Sequence, residues 1–242
     1  RRRFFPFAGR SLFAACLFAV LTPLGIAAPA RGQDKPPHNQ DRPPGPALSP
    51  EEAVKKMTVP QGFTVEIVAA EPDLVNPIAM TFDERGRIWV TESLEYPRRE
   101  PGAGRDRVKV LEDTDGDGRA DKVTIFADGL NIPSGIAVGY GGVWVANSPD
   151  LLFLQDTDGD GKSDKSTVVV TGFGRSDTHE LPNSLTWGPD GYLYGLNGVF
   201  NPSKVSHQGQ QHDFTCALFR IHPRTQAFEL FAEGTSNPWG VA

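Results

Sequence analysis

Cysteine is almost missing: the 242 residues include two, Cys16 and Cys216. Cys16 falls in a leading apolar stretch, so removal of that stretch leaves one thiol and no internal disulfide. No Cys-x-x-Cys-His run occurs, which excludes a covalently attached haem on these residues. Helix-forming stretches are also scarce. The best is Ser49-Pro50-Glu51-Glu52-Ala-Val-Lys-Lys-Met57, with Ser49 as N-cap and Pro50 at the first helical position. Acidic residues are absent from positions 1–31, which carry Arg1, Arg2, Arg3, Arg10 and Arg31. Beyond them basic residues are the minority. Nineteen face thirty acids, a net charge of −11, and such a surface repels nucleic acid.

What is plentiful is glycine (26) and proline (21), which suits many short strands joined by tight turns. The first 31 residues differ. A basic start, an apolar run from Ser11 and Ala28-Pro29-Ala30 read as a secretory signal peptide. Pro23 and Gly25 break the apolar run below the roughly 18 residues that a membrane span needs, which favours cleavage over a retained anchor. The expected location is the periplasm or cell surface, with membrane association if the anchor stays. Residues 32–57 read as a disordered proline-rich linker and a short helix. The alternating run Phe63-Thr-Val-Glu-Ile-Val68 predicts a strand.

One phrase recurs. It reads Asn76-Pro77-Ile-Ala-Met…Gly86-Arg-Ile-Trp89-Val90, then Ile132-Pro133-Ser-Gly-Ile…Gly142-Val-Trp144-Val145, then Leu181-Pro182-Asn-Ser-Leu…Gly191-Tyr-Leu-Tyr194. It begins again at Asn237-Pro238-Trp-Gly-Val241. The prolines are 56, 49 and 56 residues apart. A period near ~50 without helical patterning predicts an all-β chain, a β-propeller with one four-stranded blade per repeat. Residues 58–242 then hold about three blades and the start of a fourth, the N-terminal part of a six- or seven-bladed ring. Trp89, Trp144 and Tyr194 fall at matching positions and are expected to be buried between blades.

Hairpins repeat as well: Val108–Glu112 with Lys122–Phe126, Leu151–Gln155 with Ser166–Val170, and Ala217–Ile221 with Ala227–Phe231. Two are closed by nearly the same loop, Asp113-Thr-Asp115-Gly-Asp117-Gly118-Arg-Ala-Asp121 and Asp156-Thr-Asp158-Gly-Asp160-Gly161-Lys-Ser-Asp164. Carboxylates at positions 1, 3, 5 and 9 with glycine at 6 match the opening of an EF-hand calcium loop. Position 12 is Thr124 or Thr167 rather than a bidentate glutamate, and strands flank the loop. The pattern resembles the short aspartate-rich calcium loops of dockerin-like and thrombospondin-type-3 repeats. The alternative is a solvated hairpin turn.

Polar residues gather after each repeat phrase: Glu92 and Ser93, Asn147 and Ser148, Asn197. Asn76, Asn183 and Asn237 flank the prolines. The densest polar run is Gly174-Arg-Ser-Asp177-Thr-His179-Glu180. A histidine can take a proton near neutral pH, and Asp177 or Glu180 could orient it. His179 and Glu180 are therefore the candidate catalytic residues.

The run His179-Glu-Leu-Pro-Asn-Ser-Leu-Thr-Trp-Gly188-Pro-Asp-Gly191 and the phrase Asn237-Pro-Trp-Gly240 resemble the propeller of planctomycete-type membrane-bound dehydrogenases with haem-binding relatives. These are similar in turn to quinoprotein glucose and sorbosone dehydrogenases. The resemblance implies an exported dehydrogenase that oxidises a sugar or polyol. His179 would be its base, pyrroloquinoline quinone its cofactor, and Asn183, Asn197 and Asn237 would lie around the quinone. It also implies an electron acceptor, such as a haem domain further along the polypeptide. Ser236 stands where the family has a clamping arginine. A non-catalytic carbohydrate- or protein-binding propeller stays open. So does a metal-dependent lactonase-like hydrolase using Glu92, Asn147, Asn183 and Asn197.

Overall fold

The computed structural model describes residues 45–97 and 104–241. The expected signal peptide and most of the linker lie outside the described residues. The chain divides after Ala47, and the unit that starts at Leu48 carries the helix and all the sheets. It opens with one short helix, α1 (Pro50–Lys55), capped by Ser49, whose hydroxyl accepts from the Glu52 amide while the Glu52 carboxylate accepts from the Ser49 amide. No helix among the described residues is long and apolar enough to cross a membrane.

Everything else is antiparallel sheet. The first sheet holds β1 (Pro77–Phe82), β2 (Ile88–Glu92), β3 (Asp106–Glu112) and β4 (Lys122–Leu130), paired in that order. The second holds β5 (Gly135–Gly139), β6 (Gly142–Asn147), β7 (Asp150–Gln155) and β8 (Lys165–Thr171). In the third, β9 (Asn183–Trp187), β10 (Leu193–Asn197), β13 (Ala217–Ile221) and β14 (Phe228–Glu233) pair in that order. A two-stranded hairpin, β11 (Ser203–His207) and β12 (Gln210–Phe214), is inserted before β13. Its strands are largely polar, and its main sequence signal is Gln208-Gly209, both residues at positive φ as a tight hairpin turn requires.

The middle sheet is apolar on both faces because it is covered on both. Val143 and Val145 of β6 pack with Trp89, Val108 and Phe126 of the first sheet. Trp144 and Ala146, on the other face of the same strand, pack with Leu185, Leu193 and Phe219 of the third. Burying each large ring contributes about 2–3 kcal/mol.

The three repeat aromatics are equivalent. Trp89, Trp144 and Tyr194 each sit on the second strand of their sheet. Trp89 packs edge-on against Phe126 of β4, and Tyr194 against Phe231 of β14, both outermost strands. In the first and third sheets a turn aspartate accepts from the aromatic: Asp83 from the Trp89 indole at 2.9 Å, Asp190 from the Tyr194 hydroxyl at 2.8 Å. The expected burial holds for Trp89 and Trp144 but not for Tyr194, which is half-buried. It points away from the second sheet, and among the described residues no further sheet covers that side. The expected strand at Phe63–Val68 does not form either. Its backbone has no ladder partner among the described residues, and Phe63 is 69% exposed.

Candidate functional site

Of the polar residues after the repeat phrases, Ser93, Asn147 and Ser148 join one polar network, while Glu92 and Asn197 are engaged elsewhere. Asp106 at the start of β3 is the hub. One oxygen of its buried carboxylate accepts from the Ile132 amide at 2.6 Å and the Ser93 hydroxyl at 3.2 Å, the other from the Glu95 amide at 3.0 Å. The Asn131 amide donates to Asn147 Oδ1 at 2.8 Å, and the Asn131 side chain donates to Glu95 Oε2 and accepts from Arg175. Ser148 Oγ donates to the Gly174 carbonyl, which ties the end of β6 to the loop carrying His179. None of these bonds is within one strand ladder; Ser93 and Glu95 tie the β2–β3 connection to Asp106, and the bonds to Ile132, Asn131 and Gly174 reach segments further along the chain.

His179 stands on the loop after Gly174 with its side chain 65% exposed. Asp177 accepts from its backbone amide and contacts its Nδ1, both at 2.9 Å, and the Tyr96 ring packs edge-on at 5.5 Å. The amide bond from His179, then the imidazole, hold the Asp177 carboxyl below the ordinary aspartate value. An anionic Asp177 on Nδ1 leaves Nε2 for a substrate. Thr178 donates to the Pro97 carbonyl at 2.9 Å, so the loop is pinned to the first sheet's end.

Glu180 does not share this task. Its carboxylate is fully buried and accepts from the amides of Val199 (3.0 Å) and Phe200 (2.8 Å). Gly198 packs so close that a Cβ there would stand 2.1 Å from Glu180 Oε2. The carboxylate serves the amides of that turn, and Asp177 is the partner of His179. Sequence reasoning missed Asn201, which clamps the same loop. Its side chain accepts from the Asp177 amide and donates to the carbonyls of Asp177 and Glu180, each at 2.9 Å. The available signal was its Asn-Pro context, the same dipeptide as at Asn76 and Asn237.

The three residues expected around a quinone differ in exposure. Asn183 is fully buried, donating to the carbonyls of Leu181 and Pro238 and accepting from Ser184. Asn197 is also fully buried; its amide donates to the Thr215 carbonyl at 2.6 Å and to other groups of the chain, while its Oδ1 is buried with no hydrogen-bond partner among the described residues. Asn237 alone is exposed, beside Ser236 rather than an arginine. Two amides sealed against the chain's own groups, with Ser236 in place of a clamping arginine, do not fit a polycarboxylate quinone. The hydrolase ligand set fares similarly. Glu92 is paired with Lys109 and Arg107, and Asn147 is engaged by Asn131.

The aspartate loops lie at the far ends of the β3–β4 and β7–β8 hairpins. In each, the carboxylates at positions 1, 3 and 5 converge: Asp113, Asp115 and Asp117, and Asp156, Asp158 and Asp160, each set with its oxygens within 4.8 Å. Such clusters could hold a metal ion. The turn needs its glycines, since Gly116, Gly118, Gly159 and Gly161 all have φ between +82° and +89°. The Gly118 amide, then that of Gly116, hold the Asp113 carboxyl below its ordinary value. For Asp156 the Gly161 amide does most, and Gly159 adds to it against some loss of hydration. Asp121 and Asp164, expected as fourth ligands, stand apart from the clusters. Each instead accepts from the amide and hydroxyl of Thr114 or Thr157 and closes the loop's base.

No curated protein matches this sequence. Among solved structures, an iodide structure of a Trichoderma reesei carbohydrate-active enzyme of family AA12 is similar, with 17% identity and a TM-score of 0.40. The match covers 56% of this chain and 32% of that one, so this chain spans about a third of that protein's length. Residues 49–242 match a domain of unknown function, DUF7133, and the chain belongs to that family.

Proposed function

We propose that this chain forms part of a β-propeller in an exported enzyme that oxidises a hydroxyl group of a sugar or polyol, with His179 as the proton acceptor. The observation that carries this reading is the Asp177–His179 pair. It combines an exposed imidazole, a carboxylate on Nδ1 and a rigid polar network behind it. The three stacked four-stranded sheets and the repeated phrases support the propeller. Deprotonating a hydroxyl makes loss of hydride from its carbon easier, so one positioned base is the protein's main chemical contribution. The hydride, carrying two electrons, would pass to a hydride-accepting redox cofactor held outside the residues described, from which the electrons reach the final acceptor. The test is turnover by the full-length protein: reduction of an artificial electron acceptor that depends on added sugar or polyol. No substrate-dependent reduction across a broad panel of both would overturn the reading, and a non-catalytic binding propeller would take its place.

Calcium belongs to the same reading as a structural ion. Three carboxylates per loop are hard oxygen ligands of the kind calcium takes. The position-12 residues Thr124 and Thr167 are held in strand ladders, so the remaining ligands would be backbone carbonyl and water. Calcium should stabilise the folded state by mass action, about 2.7 kcal/mol per site at a hundredfold excess over Kd, and so raise the melting temperature. Asp115→Ala combined with Asp158→Ala should abolish that gain. Melting curves that superimpose in calcium and in chelator would count against it.

A further inference from the structure

Residues 65–69 lie beside the first sheet as β4 lies beside the second. Two contacts fix the correspondence. In loop 156–164 the eighth residue, Ser163, donates its amide to the Phe126 carbonyl of β4 at 2.7 Å. In loop 113–121 the eighth residue, Ala120, donates to the Val68 carbonyl at 2.9 Å. The sixth residue repeats the match two positions upstream. A Cβ on Gly161 would stand 3.8 Å from Thr124 Cγ2, and one on Gly118 would stand 3.6 Å from Glu66 Oε2. The register agrees with sequence: Val65-Glu-Ile-Val-Ala69 aligns with Val123-Thr-Ile-Phe-Ala127 and with Phe228-Glu-Leu-Phe-Ala232. The last two belong to β4 and β14, each the outermost strand of a four-stranded sheet.

The difference is that β4 has its sheet. Phe126 is 5% exposed against Trp89, whereas Val68, its counterpart, is 41% exposed. On β1, Met80 (58%) and Phe82 (59%) are exposed on the face turned away from the second sheet. At the other end of the row the repeat phrase is seated again. Ser134, just after Pro133, donates to the Pro182 carbonyl at 2.7 Å; Asn183, just after Pro182, donates to the Pro238 carbonyl at 3.2 Å. Residues 237–240 therefore sit on the third sheet as residues 181–184 sit on the second.

We propose that residues 65–69 are the outermost strand of a further four-stranded sheet in the full-length protein. Its three inner strands would come from the last of the repeats that resume at Asn237-Pro238, so that the segment before β1 closes the row of sheets into a ring. This rests on the propeller reading. The occupant is the same polypeptide, because the phrase at 237–240 already continues the row from its far end. A sheet completed by strands from both ends of one chain covers Met80 and Phe82 and gives residues 65–69 the ladder they lack. Val68 would then meet the aromatic of the new second strand, as Phe126 meets Trp89.

Hydrogen exchange on the full-length protein tests this. The amides of residues 66–69 should be protected to within about tenfold of those of 124–127, independently of protein concentration, in keeping with a shared cooperative sheet. Ile67→Pro should abolish that protection, whereas Glu66→Gln should leave it unchanged. Exchange at 66–69 as fast as in an unstructured peptide, with β4 still protected, would overturn the proposal. So would protection that rises with concentration, which would assign the partner strands to a second copy. Failure of the propeller reading has a different signature, an absence of protected strands after Pro238.

Discussion

Replacing Glu92 with alanine is expected to cost about 3–5 kcal/mol of unfolding free energy, enough to threaten the folded state of a domain of this size. Glu92 ends β2, and its side chain is fully buried. One oxygen accepts from the Lys109 ammonium at 2.9 Å and from the Val75 amide at 2.7 Å; the Arg107 Nε lies 3.2 Å from the other. Lys109 is itself only 7% exposed and also donates to the Asp73 carbonyl at 2.6 Å. Removing the carboxylate strands a buried ammonium, and that desolvation penalty dominates the loss. Glu92→Leu combined with Lys109→Met removes both charges and should recover most of it, since a buried pair is often no better than an apolar one of similar volume. Urea titration of the single and double variants measures both. A single-variant cost below about 1 kcal/mol would show that water reaches the pair.

The same residue shows what a sequence can and cannot convey. The repeat phrase located β1, β2, β5, β6, β9 and β10 because a strand, a glycine turn and an aromatic recur with fixed spacing. The repetition of the outer hairpins located β3, β4, β7, β8, β13 and β14 for the same local reason. Glu92, Asn183 and Asn197 were readable as polar residues at strand ends. A polar residue there looks the same whether it lines a cavity or satisfies buried backbone, and only neighbours distant in sequence decide. Lys109 turns Glu92 inward, and the Thr215 carbonyl does so for Asn197. Phe63–Val68 failed for the opposite reason: its alternation is a real strand signal, but the ladder depends on a partner the pattern cannot name. Glu180 and Asp177 are interchangeable neighbours of His179 in the sequence. The close approach of Gly198 to Glu180 is what separates them.

On the proposed function, His179→Ala in the full-length protein is expected to lower turnover by about 10²–10⁴-fold, the scale for losing a positioned base. Stability should hardly change, because the side chain is 65% exposed and makes its side-chain contacts with Asp177 and the Tyr96 ring. Asp177→Asn should act in the same direction with a smaller loss. The asparagine oxygen can still accept from the His179 amide, but the carboxylate that contacts Nδ1 is gone. The pH dependence follows from the direction of the Asp177 shift. Its folded value lies below the unfolded one, so its contribution to loop stability is complete above the ordinary aspartate range and is lost as pH falls through the lowered value. Wild-type turnover should therefore show no Asp177 inflection above about pH 5. Asn201→Ala provides the control for position: it removes the clamp on residues 177–180 without touching the imidazole, so turnover should fall while chemical modification of His179 becomes faster. A His179→Ala enzyme within about twofold of wild type would place the base elsewhere, because a true general base contributes far more than that.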